Sequence, residues 1–345
     1  MTNKLQNVGK YIAPAVFLCV LGGLMWYQSH QHHGYYNSGY RSVMGTFAQV
    51  TVVAASEEQA HSFITAAFAE MDKVNRIMND WDPNSEISQL TQTAYPEPKV
   101  VSPELFEVIA ASVEYSKLSD GAFDITVGPE TQLWRQMQKT GQRPSPEALT
   151  AARAKVGYEK VTLNPAEKTV QFAVAGMKLD VGAIAKGYAV DIAMTAMRTQ
   201  GAVAGMVDLG GNVRCFGPGP AGGNWYIGLR DPRHTEKTLI KLRLNEMAVA
   251  TSGDYERYAV VDGQPQSHIL NPKTSESVKE LASVTIIAPT AMQADALSTA
   301  VSVLGKEKGL ALIEKIPGVE AIVMTSAQPD QRIETPGAKQ FIEMD

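Results

Sequence analysis

The sequence predicts an α+β fold. Two helical stretches come early, the middle of the chain is rich in strands, and a helix with a following strand closes it. That order lacks the regular strand–helix alternation of a parallel α/β sheet. The 345 residues suffice for one large domain or two small ones, and no sharp linker divides residues 43–345. With 44% hydrophobic and 19% charged residues, the composition is that of a folded globular protein rather than a disordered one. The formal net charge of −5 gives no electrostatic footprint for nucleic acid.

At the N-terminus, Lys4 and Lys10 precede an uncharged, mostly apolar run from Tyr11 to Tyr27, and no Lys or Arg follows until Arg41. This is the positive-inside arrangement of a segment with its N-terminus inside and its C-terminus outside. Seventeen residues reach about 26 Å as a helix, near the lower limit for spanning a bilayer. No A-x-A-like cleavage site follows. Three readings stand: an uncleaved membrane anchor over residues 1–27, a lipoprotein modified on Cys19, or a buried core helix. Val16-Phe17-Leu18 lacks the small residue expected before a lipidated cysteine, and the apolar run continues past Cys19, which favours the anchor. The other cysteine, Cys215, lies in an expected strand. No CxxC-type cluster exists, so neither a disulfide nor cysteine ligation of a metal is expected. Residues 28–42 are polar and hold three His and two Gly, which predicts a linker between membrane and domain; a flexible linker holds metal ligands poorly.

The folded domain is expected over residues 43–345. "GTFAQVTVVAA" alternates toward a strand. The next stretch has helical period, with Ser56 as N-cap, Glu57 and Glu58 in the first turn, and Pro83-Asn84 as its end. Ser102, Pro103 and Gly121 bracket a second helix with cap, first turn and stop. Another helix is expected near 183–200. "AGMVDLGGNVRCFG", "NWYIGLRDP", "TLIKLRLNEMAVATSG", "RYAVVDG" and "SVTIIAP" read as strands, with "GPGPAGG" a turn between two of them. "MQADALSTAVSVLG" reads as a helix, and "KGLALIEKIPGVEAIVMTS" as helix then strand.

Several stretches set polar residues among small ones. In "DGAFDITVGP", Asp124 lies between Phe123 and Ile125, an apolar setting for a carboxylate; it is either a turn aspartate or part of a site. "KLDVGAIAKGYAVD" is expected to run from strand into helix. Its Gly182, Ala183, Ala185 and Gly187 admit a ligand or a second backbone, and Lys186 stands where a phosphate could meet it. It is neither a Walker A loop nor GxGxxG. "VDLGGNV" is expected to be a strand interrupted by a bulge at Gly210-Gly211. Ser252-Gly253-Asp254 reads as a turn rich in hydroxyls. His268 precedes Ile269 and the Asn271-Pro272 turn, either as a structural residue or as a proton acceptor. In "MQADALSTA", Asp295 and Thr299 are four residues apart and share a helix face. That face could be an ordinary wet stripe. Yet it carries one Asp and short hydroxyls rather than Lys, Glu or Gln, which suits a closely approached polar site.

In combination and order, "MGT" at 44–46, "GAFDITVGP", "LDVGAIAKGYAVD", "VDLGGN", "ATSGDYER", "SHILNP" and "ADALSTA" resemble the ApbE family of flavin transferases (FAD:protein FMN transferases). The resemblance covers most of the chain after the expected anchor. It implies a single compact α+β, T-fold-like catalytic domain on the outer, periplasmic face of the bacterial inner membrane. It implies Mg²⁺-dependent cleavage of FAD, attachment of FMN through its phosphate to a Thr or Ser hydroxyl of an acceptor protein, and release of AMP. Acceptors in the family include subunits of sodium-pumping NADH:quinone oxidoreductases and Rnf-type complexes. By position, the family's flavin contacts fall on Met44, Trp81, Ala122, Phe123, Asp124, Lys186, His268 and Ile269. Its metal contacts fall on Ala183, through the backbone carbonyl, and on Asp295 and Thr299. Asp295 and His268 are the expected catalytic pair, His268 as base or proton shuttle. Two other functions fit the same residues: an FAD pyrophosphatase releasing free FMN, and a non-catalytic flavin-binding module.

Overall fold

The computed structural model describes residues 34–220, 223–234, 236–253, 258–261, 264–327 and 331–343. The expected anchor, residues 1–27, lies outside them. Among the described residues, no helix is long and apolar enough to cross a membrane.

The chain begins with three strands, β1 (Gly34–Asn37), β2 (Arg41–Val43) and β3 (Thr46–Ala54). Residues 34–42 were expected within the linker. They are part of the sheet instead, β1 and β2 both pairing antiparallel with β3. Their polar side chains hid them, but Tyr35 and Tyr36 favour strands, and edge strands tolerate such composition. Helix α1 (Glu57–Met78) follows, with Ser56 Oγ accepting the Gln59 N–H as its cap. It ends at Met78, before the expected Pro83, because the Asn79 and Asp82 side chains accept backbone N–H groups of a turn there. Next come α2 (Glu86–Thr93), β4 (Lys99–Val100) and α3 (Pro103–Leu118), the last with the expected Ser102 cap. Two helices absent from the sequence reading follow, α4 (Gly128–Thr140) and α5 (Pro146–Arg153), and then the β5 (Val161–Asn164) and β6 (Thr169–Phe172) pair.

Helix α6 (Ala185–Thr199) leads to β7 (Gly205–Leu209) and β8 (Asn212–Phe216). The expected bulge at Gly210-Gly211 is a two-residue hairpin loop. Both glycines have positive φ, 60° and 85°, as the tight turn between twisted strands requires. Then come β9 (Trp225–Arg230), β10 (Thr238–Leu244), β11 (Ala248–Gly253), β12 (Tyr258–Val261), β13 (Gln264–Ser267) and β14 (Leu281–Ala288). The chain closes with α7 (Ala291–Ile313), β15 (Glu320–Thr325) and β16 (Arg332–Glu334). Helix α7 joins two expected helices across a kink at Gly305, where φ is 76°.

Nine strands form one antiparallel sheet in the order β1-β3-β7-β8-β11-β14-β15-β16, with β2 also on β3. Helices α1, α6 and α7 cover one face through Val50, Val52, Val207, Ala250 and Ile286. The β9–β10 hairpin covers the other through Trp225, Leu229, Ile240 and Leu242. Strand β14 is therefore buried at all eight positions, which explains why "LASVTIIA" is nearly continuously apolar rather than alternating. This layering brings the first turns of α6 and α7 side by side.

Candidate active site

The meeting of α6 and α7 holds the polar heart of the molecule. Close approach is a matter of side-chain size: a Cβ on Gly187 would lie 2.3 Å from the Ala291 carbonyl oxygen, so only glycine fits. Asp191, one turn further along α6, locks the crossing. Its two oxygens accept the N–H groups of Ala291 and Met292 at 2.9 Å each, and Arg214 pairs with it at 2.6 Å. Thr290 Oγ1 accepts the Gln293 N–H, so the start of α7 is capped twice. Burial pushes the Asp191 carboxyl up, and Arg214 opposes that shift.

Asp295 projects from α7 into this junction and is 5% exposed. Its Oδ2 accepts the Gly187 N–H at 3.0 Å, and its Oδ1 lies 3.7 Å from the Lys186 ammonium. In a continued helix that N–H would bond the Ala183 carbonyl; here it reaches Asp295 instead. The Lys186 ammonium also donates to the Gly182 carbonyl at 2.7 Å. Burial pushes the Asp295 carboxyl up, and the Lys186 charge pulls the other way. Thr299 stands one turn beyond Asp295, half-buried. Between them Ser298 Oγ donates to the Asp295 carbonyl and meets Ser252 Oγ at 2.8 Å. Ser252 and Gly253 were expected in a turn but end strand β11, opposite Val284 and Ser283. Residues 254–257 lie outside the described chain. The stretch before α6 was expected to be a strand. It is a loop instead, because Asp180 Oδ1 takes the Gly182 N–H and turns the chain; a Val127–Lys178 bridge, the Asp180 N–H on the Ile125 carbonyl and the Arg135–Asp180 pair hold it.

Asp295 and Lys186 thus meet, with Thr299 one turn along α7 and Ala183 just before α6. A hydroxyl, a carboxylate and a carbonyl are hard oxygen donors and match what Mg²⁺ takes from proteins, leaving its other positions for phosphate and water. The residues fit the metal. No cluster of three His, Cys, Asp or Glu occurs among the described residues. Only one of the three expected donors is of those types.

Three of the remaining expected residues, Trp81, His268 and Ile269, are arranged around α4. Trp81 lies on the turn after α1, 61% exposed, with the Arg135 guanidinium 4.0 Å from its ring centre. Arg135 also pairs with Asp80 at 2.7 Å and Asp180 at 3.1 Å. One helical position away, Trp134 meets the His268 ring edge-on, centroids 6.4 Å apart, and packs on Leu270. Glu130, near the start of α4, accepts from Ser275 Oγ at 2.6 Å. Arg153 donates to Ser275 Oγ and to the Thr274 carbonyl. The loop 268–275 is therefore held by α4 and α5. Ile269 is buried within it and its N–H bonds Ser267 Oγ.

The turn 122–124 has its side chains inside. Ala122 and Phe123 are buried, and Phe123 packs edge-on against Tyr115. Asp124 Oδ1 accepts from the Thr126 N–H and hydroxyl, and Oδ2 from the Tyr158 N–H at 2.9 Å. That carboxylate is spent on the fold, and burial raises its pKa. From this turn the backbone is what remains to meet a ligand. Met44 sits at φ 50° in the β2–β3 turn, half-buried against the helix-side core. The neighbouring Gly210 N–H bonds the Phe47 carbonyl, so the 44–45 and 210–211 turns share one end of the sheet.

Sequence reasoning missed Arg135, Asp180, Glu130 and Asp191 as organisers of the site. Signals for α4 were present: Pro129 at its first turn and Gly141 as a left-handed stop.

Comparisons with known proteins identify the family. The sequence model of the ApbE family matches residues 44–323. An FAD:protein FMN transferase of Haemophilus influenzae is 34% identical over 271 residues, 76% of this chain and 78% of that protein. One from Treponema pallidum is 32% identical over 309 residues, 84% of each chain. Among solved structures, the ApbE protein of Thermotoga maritima superposes with a TM-score of 0.81 at 32% identity, covering 90% of this chain and all of that one. The flavin transferase ApbE of Vibrio cholerae gives a TM-score of 0.80 at 27% identity, covering 90% and 99%.

Proposed function

The chain belongs to the ApbE family, and from that premise we propose that it is an FAD:protein FMN transferase. In this reading it splits FAD, joins FMN through its phosphate to a Thr or Ser hydroxyl of an acceptor protein, and releases AMP. The observation that carries the proposal is the α6–α7 junction. A buried carboxylate, a cationic ammonium and a helix start meet there among small residues, with the Thr299 hydroxyl one turn on, a set suited to a pyrophosphate.

Ala183, Asp295 and Thr299 would hold Mg²⁺. When bound, it would neutralise the pyrophosphate and polarise the phosphoryl group under attack. Lys186 lies 3.7 Å from Asp295 Oδ1, where its ammonium would share in balancing the charge of the phosphate oxygens. The Gly187 N–H fixes the orientation of the carboxylate. Trp81 offers an open aromatic face for stacking a flavin or adenine ring, and Met44, Ile269 and the 122–124 backbone enclose the rest. His268, held edge-on by Trp134, takes the proton from the incoming hydroxyl.

The finer assignments follow from the same premise. The acceptor is a flavoprotein subunit of a sodium-pumping NADH:quinone oxidoreductase or Rnf-type complex. The lysines before the apolar run support a domain on the periplasmic side of a bacterial inner membrane, with residues 1–27 as anchor.

Incubating the full chain with FAD and a purified acceptor subunit, with and without Mg²⁺, and separating the products tests the cleavage. Metal-dependent appearance of AMP is expected. Recovery of intact FAD after prolonged incubation with Mg²⁺ contradicts the proposal and favours a flavin-binding module.

A further inference from the structure

We propose that Arg135 is a positioning residue that sets the stacking face of Trp81 and the Ala183-bearing turn in one fixed geometry. The inference rests on the reading that FAD binds at this site.

Arg135 stands in the middle of α4 and touches none of the expected ligand-binding atoms except through the Trp81 ring. Its side chain is 19% exposed and is held on three sides. One amino group donates to Asp80 Oδ2 at 2.7 Å and the other to Asp180 Oδ2 at 3.1 Å. The Trp81 ring lies against it at 4.0 Å. Asp80 and Trp81 belong to the turn after α1, whereas Asp180 belongs to the turn before α6. One guanidinium therefore ties three segments that are distant in sequence.

The tie extends to the metal-binding corner. Asp180 Oδ1 accepts the Gly182 N–H at 3.0 Å, the Gly182 carbonyl accepts the Lys186 ammonium at 2.7 Å, and that ammonium lies 3.7 Å from Asp295 Oδ1. An unbroken line of polar contacts runs from Trp81 to Asp295. Two carboxylates on one cation leave a net negative charge. Burial and the Asp180 charge both push the Asp80 carboxyl up, and Arg135 opposes them. Without the cation the two turns repel each other, and the Trp81 ring loses the surface that backs it.

Lysine cannot do the same work. Its single ammonium cannot donate to two separated carboxylates in a plane while lying flat on an indole. It does keep the positive charge between Asp80 and Asp180, so Arg135→Lys separates geometry from charge balance. Loss of a stacked cation and one charge-assisted hydrogen bond corresponds to about tenfold in affinity.

The test measures FAD binding by flavin fluorescence without Mg²⁺, together with KM and kcat with Mg²⁺, on the full chain. In Arg135→Lys the expected Kd and KM for FAD rise about tenfold, kcat falls less, and the melting temperature stays near wild type. Trp81→Leu is expected to weaken FAD binding similarly, and the double variant no further than either single one, since both changes remove one device. A merely structural role moves the melting temperature without moving Kd. Unchanged FAD binding in Arg135→Lys, or additive losses in the double variant, overturns the proposal. Should Arg135→Lys fail to fold, Asp80→Asn removes one anchor and keeps the guanidinium. FAD binding weakened about threefold there supports the proposal, and unchanged binding overturns it. A wild-type chain that neither binds nor cleaves FAD contradicts the functional reading itself, whereas an active wild type with an unaffected variant contradicts only the role of Arg135.

Discussion

Asp295 lies on a helix of alanines and short hydroxyls, with its carboxylate buried against the Gly187 N–H. Its neighbours were legible because a wet helix face is normally built from long side chains, and none is present. Its partners were not legible, since Gly187 and Lys186 are more than a hundred residues away in sequence. Burial disfavours the ionised form of Asp295, so Asp295→Ala is expected to fold and melt near or above wild type without metal. It should lack the stabilisation that Mg²⁺ is expected to give the wild type at the proposed site, about 2.7 kcal/mol at a hundred times Kd. Melting scans with and without Mg²⁺ decide this; a variant still stabilised by the metal removes Asp295 from the site. His268→Ala should slow the transfer by about 10²- to 10⁴-fold while leaving FAD bound, as expected for lost proton transfer. An unchanged rate excludes His268 from the chemistry.

Glu130 gives a pH test at the same scale. It is 2% exposed, Ser275 donates to one of its oxygens, and the other has no hydrogen-bond partner. Burial raises its native pKa above the ordinary 4.5, so folding prefers the protonated acid. The stability this contributes is complete below pH 4.5 and is lost as pH rises through the raised native value. Glu130→Gln should therefore flatten the pH dependence of melting in that window. Identical slopes for both proteins contradict the account.

Two elements decide whether the site can assemble. At the α6–α7 crossing, Gly187→Ala drives a methyl into the Ala291 backbone and should destabilise by more than about 2 kcal/mol. Asp191→Ala removes the acceptor of two N–H groups at the start of α7 and strands Arg214, at a cost of about 3 kcal/mol. Denaturant unfolding measures both; losses below 0.5 kcal/mol, on the order expected of surface changes, contradict the crossing as described. The small residues at 182–187 were readable as a place of close backbone approach, and the approaching backbone proves to be α7. Helix α4 was not readable. Only Trp134 and Met137 of its large apolar side chains are buried, because it packs on α5, β12 and loops rather than on a broad core. Its periodicity is consequently faint, although every loop it grips carries an expected site residue.

For the molecule as a whole, the α+β class was legible from element order, while the single nine-stranded antiparallel sheet was not. Strand order depends on pairings such as β3 with β7 and β11 with β14, which no local pattern encodes. The edge strands β1 and β2 were masked by polar composition, and the β7–β8 hairpin by two glycines that also suit a bulge. The site lies where the layering sets α6 beside α7 on the helix-covered face, with α4 supporting its loops. On the proposed function, that arrangement moves FMN to a protein hydroxyl rather than releasing it to water. The direct test is the intact mass of a purified acceptor subunit incubated with the full chain, FAD and Mg²⁺. The account predicts a gain of one FMN per acceptor, absent with Asp295→Ala. Free FMN accumulating beside an acceptor of unchanged mass would contradict it.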